Sequence, residues 1–84
     1  MPVYRVALMV VNKASARDPE GETIAHMLQS MGYSFVRSVR AGKVFIVEVE
    51  AGSPSEALEA ARRLAAETRL YNPTVHELLV AGLA

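Results

Sequence analysis

No cysteine occurs in these 84 residues, so neither a disulfide framework nor a thiolate metal site holds the chain together. Tryptophan is absent and aromatic residues make up only 6%. The stretch Lys43-Val44-Phe45-Ile46-Val47 carries one aromatic, where base-stacking RNA-recognition sheets use several. Charge of one sign is also missing: nine basic and nine acidic side chains cancel. A cationic footprint for phosphate is therefore lacking, and no nucleic-acid partner is expected. The longest apolar run, residues 6–11, is far short of the ~20 residues a membrane helix needs. The opening Met1-Pro2-Val3-Tyr4-Arg5 has no basic region followed by an apolar one, so no secretory signal is expected. A cytoplasmic location without membrane attachment follows as the expectation.

What is present reads as one domain over residues 1–84. A chain of this size buries only ~60% of the surface its unfolded form exposes, so its core is small. Residues 3–11 are rich in β-branched side chains and apolar on both alternating faces, as in a strand covered on both sides. Asp18-Pro19-Glu20-Gly21 combines a capping side chain with proline at the first helical position. Ile24, Met27, Leu28 and Met31 then recur at helical spacing, and Gly32 closes a helix over about residues 20–31. Residues 33–40 alternate loosely and predict a second strand. Ala41-Gly42 predicts a tight turn, and residues 43–50 alternate again, which together predict a β-hairpin. Ser53-Pro54-Ser55-Glu56 is a capping box opening a second helix, with Ala57, Leu58, Ala61, Leu64, Ala65 and Thr68 as its inward stripe. Asn72-Pro73 is read as the stop of that helix, and residues 75–80 as the last strand.

The order βαββαβ predicts an α+β two-layer sandwich of ferredoxin-like arrangement, a four-stranded antiparallel sheet with two helices on one face. The other sheet face has no cover of its own yet carries apolar side chains, Val44 and Ile46 among them. An open apolar face calls for a partner or a second copy, so a homo-oligomer, at least a dimer, is expected with Val44 and Ile46 at its interface.

Chemistry-bearing constellations are scarce. His26 and His76 have no metal-ligand spacing, and no serine sits in a nucleophile-elbow context. No catalytic, cofactor-binding or metal-binding residue is assigned. Arg40-Ala41-Gly42-Lys43 sets two cations beside the predicted turn. With Asn72 and Pro73 they form a candidate partner-facing set of Arg40, Gly42, Lys43, Asn72 and Pro73, the plainer reading being a solvated hairpin tip and a helix stop. Residues 1–43 hold six basic and three acidic side chains and residues 44–84 hold three and six, an asymmetry suited to complementary charged faces.

Asp18-Pro19-Glu20-Gly21, Gly32-Tyr33, the set Val36, Val39, Arg40, Gly42 and Lys43, and Leu70 with Asn72-Pro73 follow one another over residues 3–80. In this combination the chain resembles the PurS family, small subunits of phosphoribosylformylglycinamidine synthase. It departs from the family pattern after Asn72-Pro73, where Thr74-Val75-His76-Glu77 replaces the common Ile-Glu-like pair. The resemblance implies a non-catalytic subunit in purine biosynthesis. Such a subunit bridges a glutaminase of the PurQ type and an ATP-dependent synthetase of the PurL type, and supports ammonia transfer between them. It implies no cofactor on this chain, since ATP and Mg belong to the synthetase. An ACT-like small-molecule-binding module shares the element order and is the alternative. An acylphosphatase-like enzyme would need an arginine-bearing phosphate loop, which Ala14-Ser15-Ala16-Arg17 does not supply.

Overall fold

A computed structural model describes all residues, 1–84. Five elements follow in the order β1 (Val3–Asn12), α1 (Pro19–Ser30), β2 (Gly42–Glu50), α2 (Pro54–Glu67) and β3 (His76–Leu83). The class is α+β, but the sheet has three antiparallel strands in the order β2-β1-β3, not the expected four. The strand expected over 33–40 does not form, and at its middle both peptide groups of Val36 are used locally. The Val36 N–H bonds the Tyr33 carbonyl at 3.1 Å, and the Gln29 side-chain amide donates to the Val36 carbonyl at 2.9 Å. The predicted turn at Ala41-Gly42 is absent as well. The Asn12 N–H bonds the Ala41 carbonyl at 3.0 Å, and Gly42 pairs with Val11, so the chain runs straight into β2 alongside the end of β1. Gly42 is required for close approach: a Cβ there would lie on the Val10 carbonyl oxygen and the Val11 backbone.

Only one helix lies on the sheet. Ala57, Ala61 and Ala65 of α2, spaced by four on one face, are fully buried against Val6 and Leu8 of β1. Small side chains let the helix sit close, and Tyr4, Phe45, Val47, Val49, Leu78 and Val80 pack around this contact. Ser53 caps α2 by accepting from the Glu56 N–H at 3.3 Å, and the Glu56 carboxylate accepts from Gly52 at 3.0 Å. The reciprocal bond of the capping box thus reaches one residue further back than expected. The helix ends at Thr68, before Asn72-Pro73, which instead shapes the following turn. The Asn72 carbonyl takes the N–H groups of Val75 and His76, its side chain takes Thr74, and its own N–H donates to Nδ1 of His76.

The second helix of the expected layer, α1, makes no close contact with any other helix or strand. It projects as an arm with the returning segment 31–41. The molecule measures 51 × 25 × 14 Å with a radius of gyration of 15.9 Å. A compact chain of this length would have a radius of ~12 Å. Along the arm Met27, Met31, Tyr33 and Phe35 are exposed, and Ala25 is the only apolar side chain of α1 that is buried.

Candidate functional site

At the base of the arm one carboxylate joins its outgoing and returning chains. Asp18 caps α1 by accepting from the Gly21 N–H at 3.0 Å, and its second oxygen accepts from the Ala41 N–H at 2.7 Å. Asp18 is 7% exposed and is the only buried charged side chain. The Gly21 N–H first and the Ala41 N–H second, with a smaller contribution from the Asn12 side chain, hold this carboxyl below its ordinary range, while burial opposes them. Gly21 completes the joint: a Cβ would strike the Val39 carbonyl, so the outgoing and returning chains meet only over glycine. The sequence indicated Asp18 as a cap; its bond across 23 residues to Ala41 is visible only in the tertiary structure.

The five partner-facing candidates separate into two places. Arg40 lies on the returning segment, and its guanidinium stands 3.9 Å from the carboxylate of Glu77 in β3. Gly42 and Lys43 open β2, while Asn72 and Pro73 lie in the turn before β3. Lys43 lines a cleft of about 230 Å³ at that end of the sheet, together with Asn12, Glu20, Phe45, Leu70 and His76. Leu70 and His76 also line the adjoining cleft, which is bounded by Arg69, Tyr71 and Asn72. Gly42 and Lys43 therefore line the first cleft and Asn72 the second, the two clefts meeting at Leu70 and His76, while Arg40 and Pro73 line neither.

Val44 and Ile46 lie on the sheet face opposite α2, with 58% and 47% of their surface exposed. The strand register sets Met9 beside both Val44 and Leu79, and Ala7 beside Ile46, so the patch spans all three strands. Charged residues bound it: Arg5 opposite Glu48 at one end, and the Arg40–Glu77 pair at the other. Each end of the patch thus carries one charge of each sign, so neither end repels its own copy, and the apolar surface between them suits an isologous contact between two copies.

No three side chains of His, Asp or Glu converge as metal ligands. His26 is exposed on α1 beside a separate cleft with Arg37, 180 Å³ in volume. His76 accepts the Asn72 N–H at 3.1 Å through Nδ1, which leaves Nε2 as the protonated nitrogen of the neutral ring. The sequence marks Arg69 only as a cation suited to the C-terminal end of the second helix. Its backbone escaped that reading: Arg69 follows the C-cap of α2 with φ of 53°, where glycine is the usual occupant.

Comparison with known proteins places this architecture. The family model for PurS, phosphoribosylformylglycinamidine (FGAM) synthase, matches residues 5–82. The PurS subunit of phosphoribosylformylglycinamidine synthase from Thermotoga maritima is 37% identical over 83 residues, covering 99% of this chain and 100% of that protein. The Bacillus subtilis PurS subunit is 40% identical over 48 residues, 57% of each chain. Among solved structures, Thermus thermophilus PurS superposes with a TM-score of 0.82 at 30% identity, over 99% of this chain and 96% of that one. A chain of the Thermotoga maritima PurLQS structure superposes with a TM-score of 0.79 at 37% identity, over 99% of this chain and all of its own. With the match running from the first strand to the last, the chain belongs to the PurS family, the small subunits of FGAM synthase, a glutamine-dependent ligase of purine biosynthesis.

Proposed function

We infer that this chain acts as a non-catalytic adaptor that holds a PurQ-type glutaminase and a PurL-type synthetase together and supports ammonia transfer between them. The observation that carries this reading is the full-length match to a chain of the Thermotoga maritima PurLQS structure. Its own surfaces agree with a role in assembly. The larger exposed features are an apolar sheet face and an apolar arm, and the titratable side chains are spread along the surface and not gathered around a reactive centre. The working unit is a homo-oligomer, at least a dimer, joined through the face that holds Val44 and Ile46. ATP and Mg are used by the synthetase, and this chain holds no cofactor. The assembly works in the cytoplasm.

Reconstitution tests the adaptor role. The purified chain alone should hydrolyse neither glutamine nor ATP. Added to the glutaminase and synthetase subunits, it should raise glutamine-dependent activity. Robust glutamine hydrolysis by the chain alone, or glutamine-dependent activity that is the same without it, would overturn the reading.

A further inference from the structure

Arg69 occupies a backbone position that glycine usually fills and that disfavours a long side chain. Thr68 ends α2 by bonding the Leu64 carbonyl at 3.0 Å, and the Leu70 N–H reaches back to the Ala65 carbonyl at 3.2 Å. This six-to-one closure requires the residue between them to turn left-handed, and Arg69 does so with φ of 53°. A Cβ in that region crowds the neighbouring carbonyl, which is why glycine dominates such helix ends. Beyond a cation's general suitability at a helix C-terminus, the side chain makes no specific contact with the fold: Arg69 takes part in none of the three ion pairs and in no side-chain hydrogen bond, and it is exposed. A strained residue without a specific contact in its own chain points outward, to a function.

Its surroundings define that function. Arg69 borders the cleft that joins, through Leu70 and His76, the cleft bearing Lys43. Lys43 also takes part in none of the ion pairs. His76 adds a ring N–H, since Nδ1 is already engaged by Asn72. Phe45 and Leu70 supply apolar walls, and Glu20, in the same cleft as Lys43, is the one acidic side chain lining either cleft. Two unpaired cations and a ring donor beside an apolar wall complement a carboxylate carried on an apolar stem.

We propose that this groove, bounded by Arg69, Lys43 and His76, receives an acidic side chain (Asp or Glu) presented by another protein subunit of the assembly. The proposal rests on the adaptor role inferred above and names where one contact of that role is made. Shape decides between a protein side chain and a free metabolite. Sites that hold small molecules cover most of the ligand's surface. The two clefts, about 230 and 330 Å³, both lie open to solvent and leave a small ligand largely uncovered, whereas a side chain presented by a protein brings its own cover. Arginine at the left-handed position, with its planar fork, is matched to a carboxylate in a way that glycine cannot replace.

Titration of the full chain against the isolated synthetase and glutaminase subunits tests this, with three variants beside the wild type. Arg69→Gly relieves the backbone, so its Tm should equal or exceed that of the wild type, while its affinity for one of the two subunits falls about tenfold. Arg69→Lys keeps the cation but loses the fork, so its affinity should fall between those of the wild type and Arg69→Gly. Lys43→Ala should weaken the same subunit, and every loss should shrink at high salt. Wild-type affinity for both subunits in Arg69→Gly overturns the groove as a docking site and leaves the adaptor role standing. Failure of the wild type to bind either subunit overturns both. A lowered Tm in Arg69→Gly would show that the arginine serves the fold. Saturable sub-millimolar binding of inorganic phosphate, with shifts at His76 and Arg69 in NMR, would assign the groove to a free anion.

Discussion

Replacing Ile46 by lysine tests whether the open sheet face joins two copies. Ile46 sits centrally on that face, paired with Ala7, and 47% of its surface reaches solvent in the isolated chain. Fully burying such a side chain contributes ~1.5–3 kcal/mol. Burying the exposed half in an interface therefore contributes ~0.7–1.5 kcal/mol per copy, and a two-fold contact counts it twice. Ile46→Lys removes this ~1.5–3 kcal/mol and adds the burden of dehydrating two ammonium groups, or of splaying the interface to keep them wet. A total loss of at least ~3 kcal/mol weakens the dimer by more than two orders of magnitude, at 1.4 kcal/mol per decade. The monomer should tolerate the change within ~1 kcal/mol, because the lysine stem can lie along the face with its head in water. Sedimentation equilibrium from low to high micromolar concentration reads the association. Thermal melts followed by circular dichroism, run where both proteins are monomeric, read the fold. Mass action raises Tm in the associated form, so melts at other concentrations would mislead. A wild-type chain that is monomeric at micromolar concentration, or an Ile46→Lys dimer of unchanged affinity, would refute the reasoning.

Two further outcomes concern the scaffold. Leu8→Ala should lower stability by ~2–5 kcal/mol and Tm by at least ~8 °C, because Leu8 is fully buried on the central strand beneath a helix face made of alanines that cannot reach in to fill the void; a melt displaced by less than about 3 °C would contradict this. Asp18 has a folded-state carboxyl held below its ordinary value of 3.8, so it favours folding above that value and loses this contribution as pH falls through the lower folded value. Stability measured by urea titration should be level between about pH 5 and 7 and fall in more acidic solution, with a shallower fall in Asp18→Asn; parallel acid profiles would show that the joint at the base of the arm does not depend on this charge.

Local chemistry was legible where a side chain acts on its own neighbourhood. Ser53, Pro54 and Glu56 announced the start of α2, and Asp18 with Pro19 announced α1, because capping groups act within about four residues. The stripe Ala57, Ala61 and Ala65 was readable for the same reason, helical period being a local property. The segment 33–40 was misread because loose alternation records which side chains could share a sheet face. It does not record whether their peptide groups are free to pair. Gln29 and Tyr33 take up both peptide groups of Val36, which removes the middle of the segment from any ladder. Gly42 was read as a turn because glycine permits turns, yet here it permits contact with Val10, a residue 32 positions away.

The sequence by itself determined the class, the start of each helix, the partnerless apolar face at Val44 and Ile46, and, through short motifs in order, the family. Each follows from residue types acting locally or from a pattern spread along the chain. The tertiary structure decided the number of strands, the detachment of α1 as an arm, the Asp18–Ala41 bond at its base, and the adjoining clefts, one lined by Lys43 and the other by Arg69, that meet at His76. These features depend on which distant backbone groups meet. A one-dimensional pattern specifies what a residue can bury or bond, and only the packing of α2 onto three strands settles which residues lie within reach of one another.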